Sequence, residues 1–414
     1  MPDTHSTHAR DPAAPDPAAG VPPAAPLPFR AEDLDALLED AGIEVLIASS
    51  KHNVQYLLGG HRYHFFAHMD AIGLSRYLPL LVYERGRPDR AAYIANSGEA
   101  NAIETRRKEA GFWPGTVLPR ASGTRAAMAL AIEHLRRIGA GGKRLGIESA
   151  FLPADAAFML RDAFPTHPLA DAQLPLERLR AVKTPGELAL LRRASEAVVD
   201  AMLAVFAAHG PGTTKRALEA ALHREEAARG LTFEYALIAA GASHVRTPSD
   251  EAWREGDVLS LDSGANLDGY IGDLCRMGVL GPPDAELVDL LGEVEEVQQA
   301  ARRPIRAGAL GREIYAATEP VLARSRHAGQ LRFVAHGMGL ISHEAPRLTA
   351  TGPVPYPADD AERPLRAGMV LSVETTLLHP RRGFIKLEDT VAVTGDGCEG
   401  FGDGGRGWNR GGTG

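Results

Sequence analysis

Cysteine is scarce in this sequence: Cys275 and Cys398 are the only two among 414 residues. That excludes a disulfide-stapled secreted scaffold, and neither has a partner at metal-finger spacing, so a reducing cytoplasm is the expected setting. Basic charge is also short. With 45 Lys+Arg against 53 Asp+Glu the formal charge is -8, which provides no cationic field for a nucleic acid or an anionic membrane. Apolar runs such as Ala201 to Ala208 fall far below the ~20 residues that span a bilayer, and the N-terminus has no apolar signal core. What is present is ordinary for a globular chain, 44% hydrophobic and 24% charged. At roughly 150 residues per domain, the length predicts two or three domains.

Residues 1–28 hold 8 Pro and 7 Ala with almost no large apolar side chain, so this stretch is expected to be a disordered leader. From residue 29 to 174, buried-strand patterns at Val45 to Ala48, Leu78 to Tyr83 and Leu145 to Ile147 alternate with helical periods at Ala127 to Ile138 and Ala154 to Ala163. Alternation of this kind predicts an α/β domain. A second domain, 175–400, opens on a helix with Thr184 as N-cap and Pro185 in its first turn. Amphipathic stretches then alternate with β-rich ones, which predicts α+β. The tail 401–414 is rich in glycine and is expected to fray, with Trp408 as its one anchor.

The chemistry concentrates in two predicted hairpins. Asp262 and Asp273 are symmetric about Leu267 and Asp268, and a turn at Asp268-Gly269 sets them on one face. Glu374 and Glu388 are likewise symmetric about Arg381. Between the hairpins lies His336-Gly337-Met338-Gly339, whose glycines let backbone approach an imidazole. Opposed carboxylates repel, so a cation is expected between them. Four carboxylates and one neutral imidazole carry the charge that two divalent ions would balance.

These residues resemble the pita-bread metallopeptidases, the family of methionine aminopeptidase, aminopeptidase P, prolidase and creatinase. Five segments in order carry the resemblance: Leu179 to Glu187, the Asp262 to Asp273 hairpin, His336 to Gly339, His343-Glu344-Ala345-Pro346, and Glu374 with Glu388-Asp389. The implied fold is an α/β N-terminal creatinase-like domain followed by an α+β pita-bread (creatinase/aminopeptidase) catalytic domain. The resemblance implies Asp262, Asp273, His336, Glu374 and Glu388 as ligands of two divalent ions, manganese first, with cobalt, zinc or iron as alternatives. It implies His343 at the substrate carbonyl, Glu374 as proton shuttle, Arg347 as a clamp for a substrate carboxylate, and His244 as a substrate-binding histidine. The implied activity is that of an Xaa-Pro dipeptidase or aminopeptidase P-like hydrolase of small peptides, working as a homodimer. The alternatives are a creatinase-like hydrolase or lyase of a non-peptide C–N compound, and an inactive interaction module. Departures from the family pattern stand beside the ligands: Thr375 for a proline, Lys386 for an arginine, and Cys275 and Met277 for threonines.

Two further features have plainer readings. Cys275 is expected to be a buried small hydrophobe. The cluster His61, His64 and His68 mimics a metal site at helical spacing, but the resemblance implies a loop or helix start that borders a substrate pocket, and the plain alternative is core packing.

Overall fold

The computed structural model describes residues 20–351 and 357–412. The first nineteen residues of the expected leader lie outside the described residues, but its last stretch is packed. Ala24 N–H donates to the Trp113 carbonyl at 2.9 Å, and Phe29 sits edge-on against Tyr83 and Trp113. By compactness the chain divides between Leu176 and Glu177. Among the described residues, no helix is long and apolar enough to cross a membrane.

The first unit contains α1 (Ala31–Asp40), β1 (Val45–Ala48), α2 (Lys51–Leu57), α3 (Phe65–Ile72), β2 (Leu80–Glu84), β3 (Arg87–Asn96), α4 (Ala100–Glu109), β4 (Thr116–Ala121), α5 (Thr124–Arg137), β5 (Leu145–Ile147), α6 (Ala154–Ala163) and β6 (Leu169–Asp171). Its mixed sheet runs β4-β3-β2-β1-β5-β6. Val45, Ile47, Val82 and Ile94 on the strands meet Met128, Ile132, Leu135 and Leu160 on α5 and α6 in one core. Pro119 is tolerated because β4 is an edge strand.

Helix α7 (Gln173–Ala181) crosses the division and leads into the second unit: α8 (Pro185–Ala208), α9 (Lys215–Ala228), β7 (Thr232–Ala240), β8 (Val258–Leu267), β9 (Tyr270–Val279), α10 (Ala285–Arg302), α11 (Gly311–Arg324), β10 (Leu331–Gly337), β11 (Val370–His379), β12 (Gly383–Val393), β13 (Cys398–Phe401) and β14 (Asn409–Arg410). A capping box starts α8: Glu187 N–H donates to Thr184 Oγ1, and Glu187 Oε2 accepts from Thr184 N–H at 2.8 Å. The strands form one sheet in the order β10-β11-β12-β9-β8-β7, with β13 on β12 and β14 on β9. The expected fraying of the tail does not occur through residue 412. Its carbonyls at Gly402 and Gly404 accept from the buried Arg276 guanidinium, and Trp408 Nε1 donates to the Leu287 carbonyl at 2.9 Å.

Behind β8, Glu226 of α9 is fully buried and accepts from the Ser263 hydroxyl at 2.7 Å. Burial, against the pull of that hydroxyl, pushes its carboxyl up to about 7. The native state therefore holds the proton more tightly than the unfolded chain, so stability falls as pH rises from the ordinary carboxylate range to about 7. Between pH 5 and pH 8, Glu226→Gln should gain on the wild type by up to about 3 kcal/mol. Thermal melts at both pH values check this; an unchanging gap would contradict it.

Candidate metal centre

Alternation along the strands sorts the side chains. Leu259, Leu261 and Ala265 of β8 and Leu274 of β9 enter the core beneath α8 and α9. Leu371 and Val373 of β11, with Ile385, Leu387 and Val391 of β12, enter the cores beneath α10 and α11. The positions between them, Asp262, Asp273, Glu374 and Glu388, therefore share the opposite face. Glu374 lies directly across from Glu388. The β8–β9 hairpin is offset from its expected symmetry: Leu267 pairs with Tyr270, so Asp262 faces Cys275 and Asp273 faces Gly264. The reason is the two-residue turn, in which Asp268 and Gly269 take φ of 53° and 95°. The two aspartates are thus diagonal neighbours, still on one face.

Glu388 pairs with Cys275 where β12 meets β9, which sets Glu374, Glu388, Cys275 and Asp262 in one row across four strands. His336 joins from β10. Three overlapping groups bring one ligand atom per residue within 4.8 Å of one another: Asp262, Asp273 and Glu388; His336, Glu374 and Glu388; and Asp273, His336 and His343.

Two cations that sequence reasoning did not place sit in this centre. Lys386 Nζ is 2.7 Å from Asp262 Oδ2, 2.7 Å from Glu374 Oε2 and 2.8 Å from Glu388 Oε2. Arg246 Nη1 donates to the same Asp262 oxygen at 2.7 Å, its guanidinium resting on the Phe384 ring. Burial works to lower Lys386, but Asp262, Glu374 and Glu388 override it and keep the ammonium charged. Burial works to raise Glu374, but Lys386 and His336 hold its carboxyl below the usual carboxylate range. Asp273 goes the other way: burial, then repulsion from Glu388 and Asp262, pushes it well up. Burial, reinforced by Glu374 and Asp262 against Lys386, pushes Glu388 up to about 7. Tyr235 packs over Gly264, where a Cβ would fall 2.3 Å from its ring, and burial and the nearby Asp273 push its phenol up.

Carboxylates that raise one another in this way are short of positive charge. His336 Nδ1 bonds to the Gly337 carbonyl at 3.2 Å, which directs the Nε2 lone pair inward. That Nε2 is buried without a hydrogen-bond partner. Oxygen donors with one imidazole nitrogen suit manganese, zinc, cobalt or iron, and these residues fit a divalent ion.

His343 stacks on His336 with ring centroids 3.7 Å apart. Burial, with His336 beside it, pushes its imidazole down to about 3 and keeps it neutral. The loop that carries it folds back on β10: Glu344 N–H donates to the Gly337 carbonyl at 2.9 Å, and a Cβ on Gly337 would fall 2.3 Å from the Ala345 backbone. Buried Glu344 is fastened by Arg180 at 2.9 Å and Lys183 at 3.2 Å. This gives the Leu179 to Glu187 segment a physical role in holding the His343 loop.

The other expected site residues have different surroundings. Arg347 donates through Nε and Nη2 to both oxygens of Glu177, at 3.0 and 2.9 Å, and its Nη1 lies 3.6 Å from Asp359. Its donor fork is thus occupied, and a substrate carboxylate would have to displace Glu177. His244 is exposed, and its Nε2 lies 3.2 Å from the His379 carbonyl. In the first unit, His61 pairs with Glu99 at 3.3 Å while His64 packs on Tyr63 and Phe65. None of His61, His64 and His68 belongs to a metal-like group found among the described residues.

Residues 189–395 match the model of metallopeptidase family M24, and residues 30–182 match the creatinase/prolidase N-terminal domain. The chain belongs to metallopeptidase family M24. It is 32% identical over 308 residues to the probable dipeptidase PepE of Mycobacterium tuberculosis, covering 69% of this chain and 79% of that protein. Among solved structures, a dipeptidase from Pyrococcus horikoshii OT3 superposes with a TM-score of 0.76 at 22% identity, covering 92% of this chain and 100% of that one. An Xaa-Pro dipeptidase from Bacillus anthracis gives 0.75 at 21%, covering 92% and 98%. Membership of M24 makes this a metal-dependent hydrolase of the dipeptidase/aminopeptidase kind with a pita-bread catalytic domain, and the centre described above holds the acidic and imidazole groups such a hydrolase needs.

Proposed function

We propose that this M24 peptidase is a cytoplasmic, manganese-dependent dipeptidase that cleaves Xaa-Pro dipeptides. The observation that carries the reading is the convergence of Asp262, Asp273, His336, Glu374 and Glu388 on one buried face beside a neutral His343. The dipeptidase names of its relatives support the substrate class. The metal would be held by Asp273, His336, Glu374 and Glu388, with Asp262 at the edge. When bound, it supplies Lewis acidity toward the scissile carbonyl and makes a water nucleophilic at neutral pH.

The chain's own groups do the rest. His343, neutral and fixed by its stack on His336, presents an N–H to the carbonyl oxygen as negative charge develops there. Glu374, held ionised by Lys386, takes a proton from the attacking water and passes it to the leaving nitrogen. We also propose a homodimer, which light scattering would reveal as twice the chain mass.

The deciding experiment is a kinetic panel of Xaa-Pro dipeptides, their C-terminal amides, longer Xaa-Pro peptides and guanidino compounds. Highest kcat/KM on the dipeptides is expected. A preference for guanidino compounds would instead place the protein with creatinase-like hydrolases. The same panel tests Arg347: because Glu177 occupies its fork, Arg347→Ala should lose equally on dipeptide and amide. A loss confined to the free dipeptide would restore it as the carboxylate clamp.

A further inference from the structure

Lys386 is built into the metal centre. It lies two residues before Glu388 on β12, on the face shared by Asp262, Glu374 and Glu388, and only 5% of its side chain is exposed. Among the described residues, all three of its ion pairs go to carboxylates of the centre. An ammonium is a compact point charge, so it takes a cation's position among carboxylates better than a planar guanidinium does. Four carboxylates against the Lys386 ammonium and the Arg246 guanidinium leave two negative charges. One divalent ion balances them. Two would leave the same number of positive charges in a buried site, at a large desolvation cost. Of the ligand groups, that of Asp262, Asp273 and Glu388 already receives the Lys386 ammonium at Asp262 and Glu388, whereas His336 Nε2 has no hydrogen-bond partner and lies 3.6 Å from Glu374 Oε1 and 4.0 Å from Glu388 Oε1.

We infer that this centre holds one divalent ion, at His336, Glu374, Glu388 and Asp273, and that the Lys386 ammonium, backed by Arg246, stands beside Asp262 in place of a second. The inference deepens the metal-dependent reading and rests on it. Lys386 thereby fixes Asp262 as a positioning residue instead of a metal ligand.

The test is to strip the full-length protein with a chelator, re-equilibrate it with manganese alone, and measure metal per chain and the electron paramagnetic resonance spectrum. Wild type should hold one tightly bound manganese with the hyperfine pattern of an isolated ion. Lys386→Met should hold two, with an exchange-coupled spectrum. Two coupled ions in wild type, or one ion in a folded Lys386→Met, would overturn the inference and leave the peptidase reading standing. No bound manganese in wild type would overturn the metal-centre reading itself. Should Lys386→Met fail to fold by circular dichroism, Arg246→Gln, a change at the half-exposed rim, should still bind one ion. Two ions in that variant would move the blocking role to Arg246 and refute the assignment to Lys386.

Discussion

His336→Ala should lower kcat/KM on an Xaa-Pro dipeptide by at least about 10³-fold, because the several kcal/mol that a bound ion contributes to transition-state charge go with it. His336 is the imidazole common to two of the three ligand groups, and its Nε2 is buried with no hydrogen-bond partner to replace. The fold should survive, since the neighbouring strand residues that build the core, Ala335 among them, face the other way. Circular dichroism would therefore be unchanged while metal content falls. The variant would also lose the ring on which His343 stacks, so added manganese should not restore full activity. Activity within tenfold of wild type would mean that the chemistry occurs elsewhere.

Arg276→Met should destabilise the second unit by about 3–5 kcal/mol, the range for breaking a buried ion pair by removing one partner. Arg276 has no exposed surface. It lies 3.1 Å from Asp389 and donates to the carbonyls of Gly402 and Gly404 at 2.6 Å and of Glu388 at 2.8 Å. Met leaves those carbonyls without a donor in a dry environment. Asp389 keeps Arg302 and Arg406, so it is not abandoned entirely. Because the same guanidinium holds the backbone of Glu388 and of the tail, loss of stability should come with faster proteolysis between residues 402 and 412. A melting curve and a limited digest indistinguishable from wild type would show that the tail is held without Arg276, by contacts such as those of Arg406, Trp408 and Asn409.

The contrast between what the sequence disclosed and what it hid has a physical pattern. The α8 start was legible because a capping box is a local device: Thr184, Pro185 and Glu187 are within four residues of one another. The Glu374–Glu388 pairing was legible because the hairpin is symmetric about its turn. The turn at Asp268-Gly269 was legible, but its centre lies one residue beyond the midpoint of Asp262 and Asp273, so the two aspartates are diagonal instead of directly opposed. Strands β3 and β4 were not read at all. Pro88, Asp89 and Pro119 give them a loop-like composition, and only their place in the sheet makes them strands.

Lys386 was legible in principle. Residues two apart on a strand share a face, so a lysine two positions before Glu388 had to point at the metal centre. Arg246 had no such signal: it lies in the stretch after β7, and its contact with Asp262 depends on how that chain folds across the sheet. The pairing of Arg347 with Glu177 was equally hidden, because the two are separated by 170 residues.

The most direct test of the central claim is to follow Xaa-Pro dipeptide hydrolysis by chelator-stripped protein as manganese is titrated back. Activity should rise from the background rate in proportion to bound metal and reach its plateau when the centre is filled. Hydrolysis unaffected by stripping, or a metal-loaded protein that cleaves no peptide, would contradict it.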